Sequence, residues 1–465
     1  MEQRNTDKPN IVFILTDDQG PWALGCTGNT EIHTPHLDRL ASEGVRFTNF
    51  FCTSPVCSPA RASLLTGRIP SQHGIHDWIR QGNVGERSIQ YLQGQTAYTE
   101  LLADNGYQCG LSGKWHLGDS LQPQKGFTHW YVHQTGGSAY YDAPMIRDGV
   151  LIQEPGYLTD VITEDALQFL DRHDGEEPFY LSVHYTAPHS PWIDNHPQEF
   201  VDLYRDCAFE SCPQEEKHPW SIRTAPWSDD QRANLMGYFA AVTAMDRNVG
   251  RIIDKLEQMG IREQTLVCFL SDNGFNCGHH GIWGKGNGTF PQNMFDTSVK
   301  VPAIFSQPGR LPQGHVCEGL VSGYDFMPTL LEYVDIGHPD SDSLPGRSFM
   351  PLLLGEEDMG RDDVVIYDEY GPVRMIRTRE WKYIHRYPYG PHEMYDLVHD
   401  PEERNNVVDQ PDLQEHRAAM KSKLDHWFVQ YVNPAYDGIR EAVTGFGQLE
   451  LAGPAGQGRK TYEDG

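Results

Sequence analysis

Pro9-Asn10-Ile11-Val12-Phe13-Ile14-Leu15-Thr16-Asp17-Asp18 is a continuous apolar run opened by a proline and closed by two carboxylates. A strand without polar alternation belongs in a parallel sheet that is covered on both faces. In an open α/β sheet, ligands collect at the carboxyl ends of such strands, so Asp17 and Asp18 are predicted to face a site. The pattern recurs along the chain. Residues 107–111 run into Gly113-Lys114-Trp115-His116-Leu117-Gly118, and residues 178–185 run into Ala187-Pro188-His189-Ser190-Pro191-Trp192. Residues 265–270 end in Ser271-Asp272-Asn273-Gly274. Helical spacing marks residues 34–44 (with Gly44 as a C′ glycine), 96–105, 229–259 and 325–334, while 45–51 and 301–305 read as strands. Strands alternating with helices predict an α/β fold built on a mostly parallel sheet.

The pattern changes near Leu354-Gly355-Glu356-Glu357-Asp358. Strand-like segments 363–367, 373–378 and 381–387 follow closely, with Arg379-Glu380 as a turn, and then a helical pattern over 413–431. This predicts a larger α/β domain over 1–355 and a smaller α+β domain over 356–465. The tail from Gly445, rich in Gly and Gln, is expected to be extended or poorly ordered.

The chain carries 37 Lys and Arg against 65 Asp and Glu, a formal charge of −28. A general nucleic-acid binder is basic, so no nucleic-acid partner is expected, and any anion site must be a local cluster of cations and N–H groups. The longest apolar runs are strand-sized, so no membrane span is expected. Residues 1–9 lack an apolar signal core, which places the protein in the cytoplasm if that N-terminus is native. Removal of a signal peptide would instead make it periplasmic or secreted. Nine scattered cysteines do not form a disulfide framework, and Cys207 and Cys212 with His218 lack a fourth zinc ligand. Buried thiols or one bridge are expected.

Cys52-Thr53-Ser54-Pro55-Val56-Cys57-Ser58-Pro59-Ala60-Arg61 leads into Leu64-Leu65-Thr66-Gly67. The prolines predict an irregular segment up to Ser58, which would cap a helix beginning at Pro59 and running to Thr66. Cys57 then sits beside a helix N-terminus, where negative charge is favoured, and Arg61 lies one turn further in. Asp17, Asp18, Asp272 and Asn273 form an all-oxygen set suited to a hard cation, Ca²⁺ or Mg²⁺, rather than zinc. Lys114 and Lys285 could neutralise a bound anion, and His116 and His189 could move protons.

Together these motifs resemble type I sulfatases of the alkaline-phosphatase-like superfamily. The Cys57-Ser58-Pro59-Ala60-Arg61 stretch matches the family's Cys-x-Pro-x-Arg signature. Asp17-Asp18, Gly113-Lys114-Trp115-His116, Ala187-Pro188-His189 and Asp272-Asn273-Gly274 occur in the family's order. Met394-Tyr395-Asp396-Leu397, followed by Asp400-Pro401-Glu402-Glu403-Arg404-Asn405, resembles its C-terminal motif.

The resemblance implies a large mixed, mostly parallel sheet sandwiched by helices, with a smaller C-terminal α+β domain. It implies a sulfuric ester hydrolase acting on a sulfated carbohydrate, exo-acting and derived from a glycosaminoglycan or other polysaccharide. Cys57 would be converted by a formylglycine-generating maturation enzyme to formylglycine (3-oxoalanine), whose hydrate is the nucleophile. Asp17, Asp18, residue 57, Asp272 and Asn273 would hold the cation, usually Ca²⁺, with Arg61 anchoring the diol. Lys114 and Lys285 would bind the sulfonyl oxygens. His189, or alternatively Lys285, would protonate the leaving oxygen, and His116 would take the proton that releases sulfate. Gly278-His279-His280-Gly281-Ile282-Trp283-Gly284-Lys285 is closer to the His-Gly-x-Trp-x-Lys form of glycosaminoglycan-type members than to the arylsulfatase form. His76, Trp78, Trp192, His279, His280 and Trp283 are the substrate-subsite candidates. The alternatives are a phosphonate monoester or phosphodiester hydrolase of the same superfamily, and a non-catalytic carbohydrate-binding relative.

Overall fold

The computed structural model describes residues 8–222, 230–356 and 365–464. Its frame is an 11-stranded mixed, mostly parallel sheet. The first half of the chain gives it β1 (Asn10–Thr16), β2 (Val45–Phe51), β3 (Gln108–Gly113), β4 (His129–His133), β5 (Ala143–Arg147) and β6 (Val150–Glu154). β7 (Phe179–His184) and β8 (Thr265–Ser271) follow, while β9 (Asn276–Cys277) and β10 (Trp283–Gly284) form a separate small hairpin. β11 (Lys300–Ser306), β12 (His315–Cys317) and β13 (Val321–Ser322) complete the large sheet. The strand order is β12-β2-β11-β8-β1-β7-β3-β4-β5-β6, with β13 beside β2.

β1 is central and parallel to both neighbours, with Ile11 level with Tyr180 of β7 and Leu266 of β8. Its side chains alternate between two cores. Ile11, Phe13 and Leu15 pack into one, and Val12 and Ile14 into the other. Two apolar layers explain why the strand has no polar face. One layer is closed by α1 (Pro35–Ser42) with the helices Leu158–Arg172 and Gln231–Gln258. The other is closed by α2 (Cys57–Thr66) with the helices Tyr98–Asp104 and Phe326–Tyr333.

The C-terminal region is an antiparallel sheet of β14 (Ile366–Tyr370), β15 (Val373–Arg377), β16 (Trp381–Arg386) and β17 (Glu393–Asp396). Ile376, Tyr383 and Met394 pack under the helix Gln414–Tyr431 through Met420, Leu424 and Phe428. The opposite face, with Tyr370, Val373, Met375 and Ile384, joins the core of the large sheet. The small sheet is therefore bonded into the main body through shared apolar burial. Residues 363 and 364 of the first predicted strand, and Asp229 at the start of the predicted long helix, lie outside the described residues, as do residues 1–7. None of the described helices is long and apolar enough to cross a membrane.

Three local expectations are corrected. Helix α2 begins at Cys57, with extended Val56 as its N-cap. A proline in the first turn removes an N–H that has no intrahelical partner, so Pro59 fits as the third helical residue. Ser58 is not a cap, because its hydroxyl accepts the N–H of Ile79 at 2.9 Å. Gly44 is not left-handed; it is required because a Cβ there would lie 2.2 Å from the Phe305 carbonyl of β11. Finally, the tail is packed. Gln448 is fully buried and bridges Ile79 and Tyr462, and its polar side chain serves the hydrogen bonding of the body.

Candidate active site

The sheet order brings the predicted residues together. β8, β1, β7 and β3 are successive neighbours, all parallel, and each ends beside the next. Thr16 is level with Ser271, so Asp17 and Asp272 leave the sheet side by side, and Gly113 is level with His184, so Lys114 emerges next to the loop that carries His189. Asp18 and His116 adopt φ values of 64° and 56°, uncommon for residues with side chains. Such backbone is concentrated where side chains are aimed at function.

Helix α2 is buried on every side and presents Cys57 to this edge. The Cys57 thiol donates to Asp17 Oδ1 at 3.1 Å and receives a hydrogen bond from Lys285 Nζ at 2.7 Å. Lys285 also bonds Asp18 Oδ1 at 2.5 Å, and Lys114 pairs with Asp17. Arg61 reaches Asp272 Oδ2 at 2.8 Å and the Lys114 carbonyl at 3.2 Å, while its buried Nη2 makes no hydrogen bond among the described residues. Its guanidinium thus fixes Asp272.

Three buried carboxylates against three cations set the local electrostatics. Burial alone would raise Asp17, but Lys114, with His189, Lys285 and Arg61, holds it well below the usual carboxylate range. Asp272 is pushed up to about 7 by burial and then by the charge of Asp17, against the pull of Arg61. Burial and then Asp17 raise the Cys57 thiol to about 12, against Lys114 and Lys285. An unmodified Cys57 is therefore held as a thiol, a poor nucleophile at neutral pH.

The donor set fits a divalent cation. Oxygens of Asp17, Asp18 and Asp272 all lie within 4.8 Å of one another, close to twice the Ca²⁺–oxygen distance of roughly 2.3–2.6 Å. Asn273 donates through Nδ2 to Asp18 at 2.8 Å, and its buried Oδ1 has no hydrogen-bond partner among the described residues. An orphaned acceptor beside three carboxylates is what a hard cation would satisfy.

The two histidines are oriented by carbonyls. His116 Nε2 lies 2.9 Å from the Ile79 carbonyl, so Nε2 carries the proton and buried Nδ1 keeps a free lone pair. Burial, then Lys114, holds His116 well below the usual histidine range. His189 Nδ1 bonds the Ser190 carbonyl at 2.6 Å and turns Nε2 toward Asp18 Oδ2, 3.8 Å away. Burial lowers His189, opposed by Asp17 and Asp18.

With this geometry in place, residues 9–336 match the sulfatase family, and residues 278–430 match the family described as N-sulphoglucosamine sulphohydrolase, C-terminal. The chain belongs to the sulfatase family. An N-acetylglucosamine-6-O-sulfatase of Bacteroides thetaiotaomicron is 27% identical, over 92% of this chain and 88% of that protein. A choline-sulfatase of Rhizobium meliloti is 28% identical, over 94% and 90%. A solved structure in complex with its substrate D-glucosamine-2-N,6-O-disulfate superposes with a TM-score of 0.79 at 26% identity, covering 93% of this chain and 100% of that one.

In this sulfatase the cluster floors a cavity of about 600 Å³. Asp18, Cys57, Lys114, His116, His189 and Lys285 all line it. Of the six predicted subsite residues, Trp78 lines the cavity and the other five do not. His76 is fully buried, with Nε2 bonded to the Tyr436 carbonyl. Trp192 and Trp283 pack against each other in the core, and Trp192 donates to the Pro188 carbonyl. His279 bonds the Ser211 carbonyl, and His280 stacks on Phe295 at 4.0 Å. A loop of aromatics and histidines can satisfy itself internally, and this one does. All nine cysteines are free, so none of them forms a bridge.

Residues missed from sequence form the walls. Thr135, Gly136, Gly137 and Ser138 close one side, where a Cβ on Gly136 would lie 2.3 Å from the His116 ring. The other side is Trp78, Arg80, Gly445 and Phe446. Two adjacent glycines are a signal that could have been read as room for a ring, whereas no local signal brings residue 446 to residue 78. Buried Asp77 accepts the N–H groups of Gly445 and Gly447 at 3.1 and 3.0 Å, and the Gly445 carbonyl accepts from Trp78 and Asn287.

Proposed function

We propose that this sulfatase releases sulfate from a sulfated carbohydrate, with residue 57 in its formylglycine form. The observation that supports it best is Cys57 itself. It is a buried thiol at the first position of a helix, bonded to Asp17 and Lys285, on the floor of a cavity open to a sugar-sized ligand.

Hydrated formylglycine would supply the nucleophilic hydroxyl, and a divalent cation (Ca²⁺, or Mg²⁺) held by Asp17, Asp18, Asp272 and Asn273 would supply Lewis-acid stabilisation. Lys114 and Lys285, both lining the cavity, would bind the sulfonyl oxygens, where charge must be stabilised. Arg61 orients Asp272, and its Nη2 makes no hydrogen bond among the described residues. His116 offers Nδ1 as the proton acceptor, because Ile79 occupies Nε2. His189 offers Nε2 at the leaving oxygen, and Lys285 is the alternative donor. Residues 135–138 and Phe446 wall the space above them. The partner this chemistry requires is a transient maturation enzyme that converts Cys57.

A sugar ester is favoured over choline sulfate by the cavity lining. Arg80 at its wall would repel a quaternary ammonium, whereas a room of about 600 Å³ suits a saccharide ring. The test has two readouts. The peptide spanning Cys57, from protein expressed with a maturation enzyme, should show the mass of the aldehyde. Sulfate release from defined sulfated mono- and disaccharides should exceed release from choline sulfate and from phosphonate esters. A thiol retained in fully active protein, or a dominant phosphonate rate, would overturn the proposal.

A further inference from the structure

Lys114, Lys285 and Arg80 are the lysine and arginine side chains that line the cavity among the described residues. Lys114 and Lys285 are buried against Asp17 and Asp18. Arg80 is different. Its side chain is 45% exposed, its guanidinium lies 5.9 Å from the Trp78 ring centroid, and its Nη1 donates to the Phe446 carbonyl at 3.3 Å. Nη1 also faces Glu463 Oε2 at 3.4 Å, while Nε and Nη2 make no hydrogen bond among the described residues.

The backbone fixes where this side chain starts. Arg80 N–H donates to the Gln448 carbonyl at 2.9 Å, and the preceding residue, Ile79, supplies the carbonyl that orients His116. Arg80 therefore begins about 3.8 Å, one Cα step, from a residue that touches the catalytic floor. In a chain of formal charge −28, a guanidinium held at a cavity wall beside the Trp78 ring, by the Phe446 carbonyl and by Glu463, is a prepared site. Its planar fork matches the oxygens of a carboxylate or a sulfate, and two of its nitrogens are unspent.

We infer that Arg80 reads a second anionic group, a carboxylate or a further sulfate, on the same saccharide whose ester sulfate reaches residue 57. The inference rests on the proposed function and names the substrate class of that site: doubly anionic saccharides. Glu463 is the internal competitor. It holds Nη1 when the substrate has no second anion, and it opposes an anion that arrives.

The test compares matched saccharides: 6-sulfated N-acetylglucosamine, a disulfated glucosamine, and the monosulfated sugar linked to a uronic acid. The wild type should favour a doubly anionic partner in kcat/KM by about tenfold, through KM, and the disulfated and uronate arms separate a sulfate from a carboxylate reader. Arg80→Gln should lower kcat/KM on the preferred partner about tenfold more than on the monosulfated sugar. Glu463→Gln should enlarge the preference, and raising the salt should shrink it, because the pair is exposed. Equal losses on all three substrates in Arg80→Gln, or an unchanged preference in Glu463→Gln, would overturn the inference. Calorimetric Kd values for the same saccharides give an arm independent of turnover. Failure to release sulfate sinks the proposed function, whereas an Arg80-independent ratio of Kd values sinks this inference.

Discussion

His116 illustrates how single residues are tuned. Its backbone is left-handed, its ring rests on Gly136, and the Ile79 carbonyl fixes the proton on Nε2. Nδ1 is then the one atom of the ring that can accept a proton. His116→Ala is expected to lower kcat by about 10²–10⁴-fold with little change in KM, the usual loss for a positioned general base. Steady-state kinetics on a sulfated sugar check this, and an unaltered kcat would remove His116 from the proton path. A histidine outside the cavity lining carries a pH prediction. His196 packs between Tyr140 and Tyr157, and its Nδ1 is hydrogen-bonded to the Tyr157 hydroxyl at 2.9 Å. Burial lowers it to about 3 from an ordinary 6.5. The unfolded chain then binds a proton that the folded chain refuses, so its contribution is complete above pH 6.5 and is lost as the pH falls toward 3. In urea titrations across that window, His196→Asn should flatten the dependence of stability on pH by about 1.4 kcal/mol per pH unit. A slope equal to that of the wild type would refute it.

At the scale of elements, the motifs work because each is attached to a regular structure that aims it. The parallel strands β1, β3, β7 and β8 were legible as apolar runs, since burial on both faces leaves a continuous signature. The start of α2 was legible only to within two residues, because proline is tolerated throughout a first helical turn and does not mark its first position. The long helix Gln231–Gln258 is capped by Asp230, whose side chain accepts the Ala233 N–H at 2.9 Å. Asp230→Ala is expected to cost about 1 kcal/mol in chemical denaturation. A cost near zero would mean that packing against the sheet alone sets the start of this helix. The loop of His279, His280 and Trp283 was read as a subsite because such side chains bind sugars. Its donors are instead consumed by Ser211 and Gln214 and its rings by Phe295 and Trp192, and no local pattern distinguishes the two outcomes.

At the scale of the whole molecule, the C-terminal tail completes the site. Gly445 and Phe446 form a wall, and Asp77 is buried with the tail N–H groups as two of its donors. A chain ending at Thr444 should lose about 1–3 kcal/mol of stability for the donors taken from that carboxylate, and its KM should rise because the wall is gone. Melting curves and kinetics of the shortened protein test both, and an unchanged KM would show that the wall does not touch substrate. A second global prediction follows from the three crowded carboxylates. Adding Ca²⁺ to metal-stripped protein should raise the Tm, by an amount that grows with concentration, since a ligand of the folded state stabilises by RT ln(1 + [L]/Kd). Asp272→Ala should abolish that rise.

The sequence by itself determined the class of sheet, the ends of its strands and the ten residues gathered at one edge. These rest on apolar periodicity, on strand-end carboxylates and on spaced motifs, all of which are written locally along the chain. Only the tertiary structure decided which side chains face the cavity. Trp78, Arg80 and Phe446 share a wall because Asp77 and Gln448 tie residues more than 360 positions apart, and a hydrogen bond across that separation leaves no trace in either segment alone.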